Sequence, residues 1–340
     1  MIRWPWTQAQ GTDRLVVAST PERFAYALAN RSGQLSRCGL LTSDGESAPE
    51  FARRVRGLGL PARGALALLP LDEAQLFPVE APAVRPEEMK AAARWRIKDL
   101  IDTRLEELTI DVMFVGDEQP RPNRQVYVAA ARTALIRELG ERTRAAGLDL
   151  AVIDMIELAQ RNLQSALAQA EGLGPRATAA LVQYGNHCLL TICAGGELYY
   201  VRRLDWTGLP AVGVPAAQAA AASVSGAPLE QHDFVDYGDE SANGDGADNE
   251  APRLVVELQR SFDVWERSWP DLPLAALWVH AGEASAGLAT LLQAALGQTV
   301  QVLDPERVFP GFAAAAADEQ VHAAVLPLLG ALLRTEVRRA

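Results

Sequence analysis

The strongest constraint on the fold is a plan of three short strands that occurs twice, about 160 residues apart. Each copy reads as two apolar strands joined by a tight turn, followed by a glycine-containing turn and a third strand. The first copy spans 14–42 (RLVVAS, RFAYALAN, SGQLSRCGLL) and the second spans 178–205 (TAALVQY, CLLTICA, ELYYVRRLD). Because the spacing is similar in both copies, the sequence predicts an internal duplication and therefore two lobes.

The rest of the chain has the mixed patterns of an α/β protein. Residues 86–102 begin with Pro86, carry acids in the first turn and bases later, as a helix dipole favours. Residues 151–172 read as a strand that leads into a helix, and residues 274–303 as a strand, a glycine turn, a helix and a strand. These patterns predict an α/β fold with helices packed on sheets.

The composition of the chain disfavours several classes of function. The 340 residues carry a formal net charge of -11, which disfavours nucleic-acid binding. The 3 cysteines have no CxxC spacing and the 4 histidines are far apart, so we expect no disulfide framework and no metal site. The apolar stretch 311–333 is interrupted by the acids at 318–319, so we expect no membrane span, a cytoplasmic location and only indirect membrane contact. Acids crowd 226–252 without apolar periodicity, which predicts a disordered loop.

Five segments, taken in order, carry a resemblance to a known family. They are ARWRIKDLID with LTIDVMFVG, VYVAAARTALIRELGERTRAAGLDLAVIDMIELAQRNL, ALVQYG with GGELYYVRRL, LWVHAGEASAGLATLLQAALGQTVQVLDP, and AAVLPLLGALLR. Together they resemble the actin-like PilM family of type IV pilus assembly proteins, and most closely its mannose-sensitive haemagglutinin (MSHA) pilus branch, the MshI proteins. The resemblance covers most of the chain.

The resemblance implies a bilobal actin/hexokinase-type (ribonuclease H-like) α/β fold, with the duplicated meander in the two lobes and an inserted subdomain. It also implies boundaries: a first lobe from 1–45 and 122–175 with a closing helix at 325–340, an inserted subdomain at 46–121, and a second lobe at 176–324 that contains the acidic loop 226–252.

The family binds nucleotide between its lobes with two acidic turns, and this chain departs from both. The acid expected after the first strand falls at Ala18 or Ser19, and the acid expected in the second lobe is replaced by Gln183, although Gly185 is kept. A neutral amide cannot supply the charge that Mg²⁺ prefers. Without these acids, phosphoryl transfer loses most of its electrostatic stabilisation. We therefore expect a pseudo-ATPase and no enzyme activity.

The third nucleotide-site turn of the family is glycine-rich and approaches the adenosine. Here it keeps Gly282, followed by Glu283, with Gly287 further on. Weak, metal-independent ATP binding at these three residues stays open, and we expect no cofactor otherwise. A plain strand-turn-strand at Gln183 also accounts for the same residues.

The resemblance implies a structural role: a cytoplasmic scaffold of the inner-membrane pilus platform that receives the short N-terminal tail of a single-pass membrane partner. The inserted subdomain region 66–107 is expected to form the groove, with Trp95 in contact with the peptide. Either an edge strand that contains Leu66 and Leu68 pairs with the peptide, or an apolar groove holds its side chains. Trp95 also fits a core position, since Met89, Ala92 and Leu100 share its helical face.

Two further alternatives stay open. An actin-class ATPase could recruit the nearest acids in sequence, which are Asp13, Glu22, Glu283 and Asp304. A type II secretion actin-like module normally continues into a transmembrane helix, which this sequence does not show. Self-association is not decided by the sequence.

Overall fold

The computed structural model describes residues 13–116, 124–206 and 250–335. The first part of the chain contains, in order, β1 (Arg14–Ser19), β2 (Arg23–Ala29), β3 (Leu35–Thr42), α1 (Ala48–Arg56), β4 (Arg63–Leu69), β5 (Ala74–Glu80), α2 (Pro86–Arg96), β6 (Leu108–Phe114), β7 (Gln125–Arg132), α3 (Thr133–Ala145), β8 (Asp149–Met155) and α4 (Ile156–Ala170). The second part contains β9 (Ala177–Tyr184), β10 (His187–Ala194), β11 (Glu197–Asp205), α5 (Glu250–Ser268), β12 (Leu274–His280), α6 (Ser285–Leu296), β13 (Val300–Val302), α7 (Phe312–Ala315) and α8 (Glu319–Leu332).

Two five-stranded sheets repeat the same topology. Their strand orders are β3-β2-β1-β4-β8 and β11-β10-β9-β12-β13. In each sheet, three antiparallel strands form a meander whose first strand pairs in parallel with a fourth, and a fifth strand follows. The duplicated meander and the two-lobe α/β architecture predicted from the sequence are confirmed.

A third, smaller sheet has the order β5-β7-β6 and carries α2. The predicted boundaries of the inserted subdomain are wrong at two strands. Strand β4, predicted inside the subdomain, lies between β1 and β8 in the first sheet. Strand β7, predicted in the first lobe, pairs with β5 and β6. The apolar run of β4 is typical of a strand covered on both faces, as it is here.

Two helices cross between the lobes and hold them together. Helix α4 follows β8 of the first sheet but packs on β9, β10 and β11 of the second. Helix α8 comes from the second lobe but packs on β1, β2 and β3. One apolar cluster consequently joins both sheets and both helices, including Val16, Leu163, Ala180 and Leu329. The core between the lobes is continuous.

The closing helix begins earlier than predicted. Asp318 accepts hydrogen bonds from the backbone N–H groups of Gln320 and Val321, which starts α8 at Glu319 rather than near Val325. Pro327 therefore lies in the middle of the helix, not near its start. Residues 336–340 and residues 226–249 of the predicted acidic loop lie outside the described residues. Within those described, no helix is both long enough and apolar enough to cross a membrane.

Candidate functional site

An arginine side chain from another element contacts the end of β1, where the resemblance led us to expect the loss of an acid. Ala18 has no polar side chain, and Ser19 is buried at the end of the strand. The Arg142 guanidinium of α3 donates to the Ser19 carbonyl oxygen over 3.0 Å. A metal ion bound to phosphate would meet the positive charge of Arg142 at the end of β1, although the exposed Glu22 lies in the same turn.

The β9–β10 turn uses its amide internally. Gly185 has a φ of +61°, which a two-residue hairpin turn of this kind requires at its first position. The Gln183 side chain donates from Nε2 to the Gly185 carbonyl oxygen over 3.0 Å. Gln183 thus stabilises the hairpin that contains it, and the turn presents no anionic group from this position.

The turn after β12 is closed by contacts within the protein. Ser285 Oγ accepts from the Ala281 N–H over 2.8 Å and donates to the Gly282 carbonyl oxygen. Gly282 is exposed, and Oε1 of the exposed Glu319 on α8 lies 3.1 Å from the position of a Cβ added to it. Glu283 is exposed in the same turn. Gly287 lies inside α6, so the two glycines do not form one cradle.

Two histidines that are 42 residues apart meet beside this turn. His280 at the end of β12 and His322 on α8 have parallel rings, with their Nε2 atoms 3.3 Å apart. Phe312 packs on His322. Burial, and secondly the neighbouring His322, lower the pKa of His280 to about 4. The pair is therefore neutral at neutral pH and supplies no positive charge for a phosphate.

The four acids considered for an unconventional ATPase have separate surroundings. Asp304 caps a short turn by accepting from the Glu306 N–H, and Asp13, Glu22 and Glu283 are exposed. Across 13–116, 124–206 and 250–335, no group of three or more His, Cys, Asp or Glu side chains is placed to hold a metal ion.

The predicted peptide-accepting strand is wrong. Leu66 and Leu68 are buried on β4, which is hydrogen-bonded on both sides, so it has no free edge for strand addition. The small sheet has two outer strands, β5 and β6. The edge considered below is that of β5. The Ala81 N–H donates to the Arg124 carbonyl oxygen, so the backbone groups of Ala81 face β7. In an antiparallel pair this orientation alternates from residue to residue along the strand. The backbone groups of Ala74, Leu76 and Pro78 therefore face away from β7.

A cavity of about 490 Å³ lies beside this edge. We call it the edge cavity; it is lined by 72–77, 100–103, 201–203 and Glu157, and also by Leu108, Ala130, Ala131 and Arg132. One wall therefore comes from the small sheet, at the end where β5 and β6 begin and β7 ends, another from the chain that follows α2, and the third from β11 of the second lobe. The walls at 72–77 and 100–103 lie within the 66–107 region expected to form the groove.

Buried charges join the elements around the edge cavity. Glu157, in the first turn of α4, is 1% exposed and pairs with Arg203 of β11. Burial raises the pKa of Glu157 and the Arg203 guanidinium opposes that rise. Asp154 of β8 pairs with Arg334 over 2.5 Å. Sequence patterns do not reveal these pairs, because their partners are 46 and 180 residues apart.

Trp95 is on the surface, so its alternative assignment to the core is wrong. Its exposed fraction is 65%, whereas Ala93 and Ile97 of the same segment are fully buried. The buried face of α2 is therefore the one opposite Trp95. Residues 100–103, which line the edge cavity, begin four residues after the last residue of the helix.

Comparison with known proteins gives a fold match. No family model and no curated protein matches the sequence. A solved structure of the PilM–PilN type IV pilus biogenesis complex aligns with 94% of this chain and 97% of its own, with a TM-score of 0.64 and 18% identity. The chain has the bilobal actin-type fold. At this identity the match establishes the fold and not the activity.

Two other solved structures are more distant. The cytoplasmic domain of EpsL, an inner-membrane component of the type II secretion system of Vibrio cholerae, aligns with 74% of this chain and 96% of its own, with a TM-score of 0.43 and 14% identity. A Bacteroides thetaiotaomicron protein with an actin-like ATPase fold aligns with 89% of this chain and 93% of its own, with a TM-score of 0.46 and 10% identity.

Proposed function

We propose that this protein is a scaffold of a type IV pilus assembly platform, of MSHA or related type. It lies on the cytoplasmic face of the inner membrane and binds the N-terminal tail of a single-pass membrane partner in the edge cavity. The supporting observation is the free edge of β5 beside a cavity of about 490 Å³, in a chain that shares its fold with the PilM–PilN complex. An extended peptide can pair with such an edge through its backbone.

The same proposal includes the loss of ATP hydrolysis. Arg142 contacts the end of β1, Gln183 is bonded within its own hairpin, and the Glu319 carboxylate lies beside Gly282. The first two features leave no acid at Ala18, Ser19 or Gln183 to bind Mg²⁺, and the third places a negative charge beside the turn that would approach the nucleotide.

Tail binding is tested by calorimetry with a synthetic tail peptide, the N-terminal cytoplasmic segment of the PilN-type protein from the same organism. Gln75 is exposed on β5 and lines the edge cavity, so Gln75→Trp fills space there without adding charge. We expect this variant to lose tail binding. Gln301→Trp, on the exposed edge strand β13, is the matched control and retains it. Equal binding by both variants would place the tail elsewhere.

Nucleotide binding is tested separately, by thermal shift with ATP, ADP and Mg²⁺. A ligand at 100 times its Kd stabilises the native state by about 2.7 kcal/mol, which raises the Tm measurably. We expect no Mg²⁺-dependent shift at millimolar nucleotide. A Mg²⁺-dependent shift accompanied by phosphate release would replace the pseudo-ATPase with an actin-class ATPase.

A further inference from the structure

Arg203 joins three separate parts of the molecule. It lies on β11 of the second lobe, pairs with Glu157 on α4, and donates to the carbonyl oxygen of Ala74 at the start of β5. Its side chain is 20% exposed and that of Glu157 is 2% exposed. A charge-assisted bond in such surroundings is stronger than one in water.

The Ala74 carbonyl is also the acceptor that an incoming strand needs. On β5 the outward-facing backbone groups belong to Ala74, Leu76, Pro78 and Glu80, by the alternation described above. Pro78 has no N–H to offer. Pairing beside the edge cavity therefore uses the outward-facing carbonyl oxygens of Ala74 and Leu76 and the Leu76 N–H. A peptide strand and the Arg203 guanidinium compete for the first of these.

Strand β11 presents a second free edge to the same cavity. It is the outermost strand of its sheet. The Trp206 N–H donates to the Asn186 carbonyl oxygen on the β10 side, so the same alternation turns the backbone groups of Val201 and Arg203 outward. Both residues line the edge cavity. The cavity is thus bordered by unpaired backbone on two sides.

The small sheet already contacts β11 at a place away from the cavity. The Gly116 N–H, just after β6, donates to the Leu198 carbonyl oxygen over 2.8 Å. The Tyr127 hydroxyl of β7 donates to the Tyr199 carbonyl oxygen over 3.1 Å. The small sheet therefore contacts β11 at residues 198 and 199, and Arg203 supplies a further contact across the cavity.

We propose that the edge cavity takes an extended peptide segment between β5 and β11, and that the segment replaces Arg203 at the Ala74 carbonyl. The ligand is a backbone strand with a non-proline residue opposite Ala74. Arg203 is a positioning residue: its contact with Ala74, which joins the small sheet to the second lobe, and tail binding at Ala74 exclude each other. This inference rests on the proposed tail-binding function.

Calorimetry with the tail peptide tests the competition. In wild type the single Nη2 of Arg203 donates to both Ala74 and Glu157. Arg203→Lys keeps a positive charge beside Glu157 but replaces the guanidinium with an ammonium on a shorter side chain. We expect the variant to bind the tail about tenfold more tightly. Arg202→Lys is the matched control: Arg202 also lines the cavity but bonds to Glu257 and Ser261 instead of β5. Its affinity for the tail stays unchanged.

A second, double variant is measured as well, so that the test does not depend on Arg203→Lys folding correctly. Glu157→Gln with Arg203→Gln removes both charges of the buried pair together, so no unpaired buried charge is left. It too is expected to bind the tail more tightly than the wild type. Unchanged or weaker binding by both variants overturns the role of Arg203, while tail binding by the wild type would still stand.

Hydrogen exchange tests the placement between two edges. With the wild type saturated by the tail peptide, we expect new protection at the outward-facing amides of Leu76, Val201 and Arg203. Protection restricted to β5 overturns the placement between the strands. Absence of tail binding to wild type and to both variants would overturn the proposed function itself, and this inference with it.

Discussion

Gly330 of α8 and Ala159 of α4 are in direct backbone contact. A Cβ added to Gly330 would lie 1.8 Å from the Ala159 carbonyl oxygen. No side chain fits between the two helices at this point, and each helix packs on the sheet that the other one follows in sequence. The close approach of α4 and α8 therefore requires glycine at position 330, which has a hydrogen atom where other residues have a side chain.

Gly330→Ala is expected to destabilise the protein by about 3 kcal/mol or more, because one of the two helices must move to relieve the overlap. Urea unfolding measures the change in the free energy of unfolding. Gly140 in α3 provides the control, since an added Cβ there meets nothing within 4 Å. Gly140→Ala should stabilise the protein by up to about 1 kcal/mol. Similar results for the two substitutions would contradict the close crossing.

Gly116→Ala is expected to loosen the small sheet from the second lobe. Gly116 has a φ of +67°, and a Cβ there would lie 2.3 Å from the Tyr199 ring. The backbone strain alone costs about 1 kcal/mol. Gly64→Ala measures that strain alone, since Gly64 has a φ of +77° and open space around it. The loss of unfolding free energy in Gly116→Ala beyond that in Gly64→Ala measures the clash with Tyr199. A change in the fluorescence of Trp265 and Trp269, which lie beside Tyr199, is expected to accompany it.

Trp95→Ala is expected to leave the free energy of unfolding within about 0.5 kcal/mol of wild type, because the side chain is 65% exposed. If Trp95 contacts the tail, the same variant binds the tail peptide at least tenfold more weakly, as interface tryptophans do when truncated. Val302→Ala removes an exposed apolar side chain from β13 and should change neither quantity. A large loss of stability would contradict the surface position of Trp95.

His280 makes stability depend on pH below neutrality. Its pKa falls from 6.5 to about 4 on folding, because it is buried and faces His322. The unfolded chain therefore binds the proton first, and stability is lost as pH falls from about 6.5 to about 4. The loss from this group is roughly 3 kcal/mol over that window. Urea unfolding at several pH values should show a shallower fall for His280→Gln than for wild type; parallel curves would contradict the assignment.

Local patterns predicted the elements of this protein well. The strands of both meanders were placed within a few residues, because alternation and glycine turns are properties of neighbouring residues. The loss of acids at Ala18 and Gln183 was also visible in the sequence. The side chains that contact these turns could not be predicted from the sequence, because they come from distant residues: Arg142, which bonds to Ser19, is 123 residues away.

The edge cavity was only partly predictable from the sequence. The region 66–107 contains part of the edge cavity, but the edge strand was assigned to β4 instead of β5. Both strands are short and largely apolar, and sequence periodicity does not tell which strand has a neighbour on both sides. The same limit applies to the face of α2, where Trp95 and Ile97 are both apolar but only Ile97 is buried.

The sequence by itself determined the α/β class, the duplication and the absence of acids from two turns, since these depend on residue type and on spacing along the chain. The tertiary structure decided which strand edge is free, that Arg203 bridges Glu157 and Ala74, and that Gly330 must have no side chain. These features depend on which distant segments pack together. Burial and pairing are properties of that packing, and no local pattern specifies them.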